Sequence, residues 1–144
     1  MGKVAPELYK TVLELENLSM QKIQQASLEI GFSHLLKLRA SQINQCAFCV
    51  RMHTQDAIKA GESMERIALI SAWQESGYFS EKERAALILI EEITLIAQQH
   101  FPDSAYQKVT KTLSDAEVAA IEWIAIVINT WNRIAISSQY AVNP

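Results

Sequence analysis

The sequence predicts an all-α protein, and three observations carry that prediction. Only 4 Gly and 3 Pro occur in 144 residues, too few to punctuate many short strands. Apolar residues recur at three- and four-residue spacing in segment after segment, and no stretch of any length alternates as a strand would. Two segments open on Ser-x-x-Glu, Ser80 to Glu83 and Ser114 to Glu117, a pattern in which serine and glutamate cap a helix start reciprocally. About seven helices are expected, forming one domain over residues 1–144 with no linker, low-complexity segment or internal repeat.

Pro6 suits the first turn of a helix, and Leu8, Val12, Leu15, Leu18 and Ile23 continue a helical stripe to about Ala26. Asn17 or Ser19 is a point where that helix could divide. Gly31 reads as a stop and Ser33 as an N-cap for a second helix, His34 to Asn44, with Leu35, Leu36, Leu38, Ala40 and Ile43 inward. Lys37, Arg39, Ser41 and Gln42 fall mostly outside that face. After a short break at Asn44-Gln45 a third helix starts near Cys46 and runs to about Ala60, with Gly61 as its C′ residue. Ser63 caps a short helix through Trp73, and Gly77 marks a turn. The first capping box opens a helix from Glu83 to about Gln98, His100 to Asp103 is a turn, and a short helix covers Ser104 to Leu113. The second capping box opens Val118 to Ile128, apolar nearly all round and therefore central or at a subunit interface. Asn129 to Arg133 interrupts it, and a last amphipathic helix runs to about Tyr140.

Composition narrows the function classes. Hydrophobic residues make up 49% and charged residues 20%, which suits a globular protein with a sizeable core. The net charge is −3 and basic residues are scattered, so neither nucleic acid nor an anionic membrane surface is an expected partner. No apolar leader follows Met1, the run near Val118 to Ile128 is too short to span a bilayer, and a cytoplasmic location is the default expectation. In that reducing setting, two cysteines three apart point to catalysis or metal binding more than to a structural staple.

Those cysteines lie in Gln45-Cys46-Ala47-Phe48-Cys49-Val50-Arg51-Met52-His53. On a helix, Cys46, Cys49 and His53 stand at i, i+3 and i+7 and share one face. Cys46 at the helix start would have its thiolate favoured by unpaired N–H groups. His53, one turn after Cys49, can exchange a proton with it. An i, i+3 pair also meets the Cα separation a disulfide needs, roughly 4.4–6.8 Å, so the pair can cycle between dithiol and disulfide. Half a zinc site, or two inert buried cysteines, remain as alternatives.

Leu38-Arg39-Ala40-Ser41-Gln42-Ile43-Asn44-Gln45-Cys46-Ala47-Phe48-Cys49-Val50-Arg51-Met52-His53-Thr54 resembles the signature of the AhpD-like alkylhydroperoxidase, or carboxymuconolactone decarboxylase-like, family. Ala57 to Glu62, the Trp73 region, Glu83 to Leu87 and Asn129 to Arg133 extend the likeness over residues 33–135. The resemblance implies an all-helical fold, trimers or hexamers, and thiol-dependent reduction of peroxides without a cofactor. It implies that Cys49 attacks the peroxide, Cys46 resolves the sulfenic acid as a disulfide, His53 carries the proton and a dithiol protein restores the pair. Two departures stand out. The family's relay glutamate, twelve residues before the first cysteine, is His34 here, which can pass a proton but supplies no negative charge to His53. Glu91 is a candidate for the missing carboxylate. Phe48 stands where some members have histidine. The His34 exchange also allows a Cys₂His₂ set of His34, Cys46, Cys49 and His53, and with it a zinc-binding or redox-sensing scaffold that is not catalytic. Lactone decarboxylation, the family's other activity, has no use for a cysteine pair. His100 is expected at the surface, Trp73, Trp123 and Trp131 as core or interface anchors, and Arg84 and Arg133 in ion pairs.

Overall fold

Four of the seven helices start on a side-chain cap or a first-turn proline. In a computed structural model that describes residues 2–143, Pro6 occupies the first turn of α1 (Pro6–Gln25). Met1 and Pro144, the ends of the expected domain, lie outside the described residues. Helix α2 is Ile30–Ile43 and α3 is Ala47–Lys59. Ser63 caps α4 (Met64–Leu69) by accepting from the Arg66 N–H, and a 3-10 turn, Ile70–Ala72, carries the chain on to Trp73. Both expected capping boxes form: Ser80 with Glu83 at the start of α5 (Glu81–Thr94), Ser114 with Glu117 at the start of α7 (Asp115–Ser137). Between them lies α6 (Asp103–Thr112). These seven helices leave no strand among the described residues.

Four boundaries differ from the sequence reading, one of them the end of α5, which stops at Thr94 and not near Gln98. Helix α1 is unbroken at Asn17 and Ser19, because the Ser19 hydroxyl donates to Glu16 O instead of ending the helix. Gly31 does not stop a helix; it lies in the first turn of α2, where a Cβ would come within 3.0 Å of the Glu62 side chain. Its value is close approach rather than a turn, while Gly61, at φ 93°, does supply the left-handed turn after α3. Ser33 is inside α2 as well, and its hydroxyl donates to Ile30 O. Finally, α7 runs straight through Asn129 to Arg133. Asn44 donates to the side-chain oxygens of both Asn129 and Asn132, at 2.9 and 2.8 Å, Asn132 donates to Ser41 Oγ at 3.0 Å, and Asn129 donates to Thr94 Oγ1 at 3.0 Å. Tertiary partners satisfy the amides that would otherwise compete with the helix backbone.

The core is shared by α2, α5 and α7. Leu35, Leu36, Leu87, Leu89, Ile90, Ile121, Ile124 and Ile128 are fully buried, each such burial contributing roughly 1.5–3 kcal/mol relative to an exposed side chain. Helix α2 packs against α3, α5 and α7, so it is covered on nearly every side. That coverage buries Ser41, and α1 covers Lys37 through Glu16 and Met20; the apolar pattern places both residues outside. Helix α3 lies on α2, and α1 lies along α7, so the first turn of α3 is held between the end of α7 and the body of α2.

Candidate active site

The third helix opens as its sequence suggests. Gln45 takes a positive φ of 57° after α2 ends, Cys46 becomes the N-cap residue of α3 and donates its backbone N–H to Ser41 O. Cys46, Cys49 and His53 are all buried on one side of α3. Cys46 and Cys49 are joined as a disulfide with Cα atoms 5.4 Å apart. They are packed by Ala135 of α7 and by Tyr140 beyond it, whose ring meets Phe48 edge-on at 5.1 Å.

Cys49 and His53 line a pocket of about 340 Å³, whereas Cys46 borders a separate recess of about 110 Å³. The walls of the larger pocket come from four helices: Tyr9, Leu13 and Glu16 of α1, His34 and Lys37 of α2, Phe48, Met52 and Asp56 of α3, and Trp131 and Ala135 of α7. Tyr140 completes the rim. His34 faces His53 with ring centroids 6.0 Å apart and planes inclined by 27°. Three of the four sequence-selected residues, Cys49, His53 and His34, therefore line one pocket, and the fourth, Cys46, is tied to it through the disulfide to Cys49.

The charged neighbours are not those the sequence suggested. Glu91 is on the far side of α2, accepting from Arg39 Nε at 2.6 Å and from the Trp73 indole at 2.8 Å, and it lines no part of the pocket. It is not the missing carboxylate. Two other carboxylates are present instead. Glu16 is paired with the buried ammonium of Lys37, which also contacts Met20 Sδ at 3.1 Å. Asp56 places Oδ2 3.8 Å from His53 Nδ1, too long for a hydrogen bond. The carboxylate nearest His53 is therefore Asp56, one turn along the same helix, and not Glu91.

Burial disfavours the charged form of both imidazoles. Burial lowers the His53 pKa from 6.5 to about 3, with further depression by the Lys37 charge and by His34. His34 is lowered for the same first reason and by Lys37, partly offset by Asp56 and Glu16. A neutral imidazole is the form that accepts a proton. His34 Nδ1 and both ring nitrogens of His53 are buried without a protein hydrogen-bond partner.

Other singled-out residues divide. Trp73 is a core residue; Trp131 lines the pocket and meets Tyr9 edge-on at 5.1 Å; Trp123 is exposed. His100 is at the surface. Arg84 donates to the carbonyls of Trp73, Gln74 and Ser76, and Arg133 to Asn129, and among the described residues neither makes the ion pair the sequence suggested. Of the pocket residues the sequence reading passed over, Asp56 and Lys37 had a usable signal, each one turn from a selected histidine. Glu16 and Tyr9 had none, because α1 reaches the site only through tertiary packing.

Comparison with known proteins agrees with this architecture. A profile of the carboxymuconolactone decarboxylase family matches residues 6–92, beginning at α1 and ending within α5. YdfG of Bacillus subtilis, an uncharacterized protein, is 39% identical over 135 residues, covering 94% of this chain and 89% of YdfG. A crystal structure of an Agrobacterium tumefaciens protein of unknown function, suggested to be the antioxidant defence protein AhpD, superimposes with a TM-score of 0.89 at 41% identity, covering 99% of this chain and 95% of that one. The helical order, the cysteine pair at the start of α3 and the profile match together show that this chain belongs to the carboxymuconolactone decarboxylase family.

Proposed function

We propose that this protein is a thiol-dependent peroxidase of the AhpD-like kind. One observation carries the reading: Cys49 shares a pocket with a buried neutral imidazole, His53, while Cys46 stands within disulfide reach and borders the neighbouring recess. In the dithiol form, Cys49 passes its proton to His53 and the thiolate attacks the terminal oxygen of a hydroperoxide. The O–O bond breaks, Cys49 becomes a sulfenic acid, and the departing alkoxide takes the proton back as an alcohol. The Cys46 sulfur then attacks the Cys49 sulfur; the S–S bond forms and hydroxide leaves, with the Cys46 proton, as water. The buried thiolate stabilises the imidazolium while both are charged, which raises the basicity of His53 at the moment it is needed. His34 and Asp56 flank the relay, and a dithiol protein that reduces the disulfide closes the cycle. The alternative, a redox-sensing or zinc-holding scaffold without turnover, uses the same residues and is separated by the same assay.

No described helix is long and apolar enough to cross a membrane, and we infer a cytoplasmic homo-oligomer, a trimer or hexamer. The apolar side chains left exposed on α1 and α7, including Leu8, Leu18, Trp123 and Ile126, support assembly.

The test is a thiol count. Reduced protein mixed with hydrogen peroxide or an organic hydroperoxide is expected to lose two thiols per chain rapidly, and Cys49→Ser to abolish the loss of the remaining thiol. Thiols that survive excess peroxide would favour the scaffold. His34→Glu restores a carboxylate at the family's relay position and is expected to speed peroxide consumption about tenfold, a modest share of what acid–base groups contribute. An unchanged or slower rate would show that a carboxylate at this position is not what the relay lacks.

A further inference from the structure

The pocket holds more unpartnered polar atoms than the proton relay uses. His34 Nδ1, His53 Nδ1 and His53 Nε2 are buried with no protein partner, and His53 is only 4% exposed. Buried polar atoms in folded proteins almost always have a partner, so three on two facing rings need a cause. One donor atom each from His34, His53 and Asp56 lies within 4.8 Å of the others. We propose that His34, His53 and Asp56 form a binding site for one divalent transition-metal ion, zinc by preference, on the floor of the pocket.

Two imidazoles and one carboxylate are a common donor set for such ions, and three protein ligands leave a coordination position free. That position would face the pocket. Tetrahedral zinc places its donors about 3.3 Å apart. His53 Nδ1 and Asp56 Oδ2, at 3.8 Å, are close to this already. Asp56 is half-buried and on the rim, so its side chain can turn inward; its other oxygen is 3.9 Å from the exposed Lys59 ammonium. Lys37 is the buried cation nearest the two rings, and Glu16 balances its charge. Burial disfavours protonation of both rings, and neutral imidazole is the ligating form. The site differs from the Cys₂His₂ set that the sequence allowed, because both sulfurs are committed to the disulfide and neither belongs to the cluster. Metal held by His53 occupies a lone pair that would otherwise receive the Cys49 proton. On the peroxidase reading above, the loaded protein is therefore the slower form; the binding itself does not depend on that reading.

Oxidised, tag-free full-length protein, stripped with chelator, decides the matter. Titrated with Zn²⁺, it is expected to retain one equivalent per chain through gel filtration. With Co²⁺ it should show visible d–d bands and no sulfur-to-cobalt charge transfer. Asp56→Asn and His34→Gln should each weaken Zn²⁺ binding at least about tenfold, the scale on which even outer-shell changes act. The Cys46→Ser, Cys49→Ser double variant should bind as the wild type does. Asp56 is near the surface, and an unchanged melting temperature of metal-free Asp56→Asn confirms that loss of binding is not loss of fold. Failure to retain zinc, binding indifferent to Asp56→Asn and His34→Gln, or binding lost with the cysteines would each overturn the site.

Discussion

His53 concentrates the conflicts of the site in one side chain. It is buried, beside a lysine and a second histidine, and its pKa is about 3 rather than 6.5. In metal-free oxidised protein the unfolded chain therefore takes up a proton near pH 6.5 that the folded chain refuses until about pH 3. Between those values the unfolded state binds more protons, so stability falls as pH falls, with a slope approaching ~1.4 kcal/mol per pH unit for His53 alone. His34, lowered in the same direction, adds to the upper part of the window. Glu83 and Glu117, lowered by their partners Arg66 and Lys82 against the opposing effect of burial, contribute only below the ordinary carboxylate range. Urea unfolding at pH 6.5 and pH 5 isolates the histidines: a loss of about 2 kcal/mol is expected in the wild type, and a markedly smaller one in His53→Gln. Equal stability at both pH values would mean that His53 is readily protonated in the fold.

At the scale of the helix, α7 shows how tertiary bonds override local preference. Asn129, Thr130 and Asn132 are weak helix formers, and a break there is a reasonable reading of the sequence. The helix continues because Asn44, Ser41 and Thr94 meet those amides from α2 and α5. The same bonds fasten the end of α2, and so the turn that presents Cys46, to α7. Asn132→Ala is expected to cost about 2–3 kcal/mol, since it leaves buried groups of Ser41 and Asn44 short of a partner. Far-UV circular dichroism should show undiminished helix content, because alanine favours the helix itself. A loss of helix signal would mean that Asn132 supports α7 and not the junction.

Over the whole molecule, burial is uneven. The central helices are saturated with packing, while α1 buries only Ser19 and Ile23 fully and leaves Leu8 and Leu18 exposed. Trp123 on α7 is 46% exposed. Large apolar side chains on neighbouring helices suit an interface between copies of the chain. Light scattering on purified protein is expected to give a trimer or hexamer, and Trp123→Glu to lower the mass without altering helix content. A wild-type monomer at tens of micromolar, far above the dissociation constants usual for specific oligomers, would rule out the assembly. Since Tyr9, Leu13 and Glu16 of α1 also wall the pocket, a change in assembly that shifts α1 would reach the site.

The sequence alone determined what depends on neighbours a few residues apart. Both capping boxes, the Gly61 turn, the start of α3 at the cysteines and the shared face of Cys46, Cys49 and His53 follow from helical periodicity and backbone hydrogen bonding, which act within one or two turns. Tertiary structure decided which charges meet the histidines. Glu91 and Glu16 both lie on amphipathic helices with nothing local to separate them, yet Arg39 and Trp73 hold Glu91 on the far side of α2 while Glu16 crosses to Lys37 at the pocket. Lys37 looked solvent-facing from its own helix and is buried because α1 covers it. Electrostatics in the site are set by distances across packed helices, and those distances are fixed only when the hydrophobic faces of α1, α2, α3 and α7 come together.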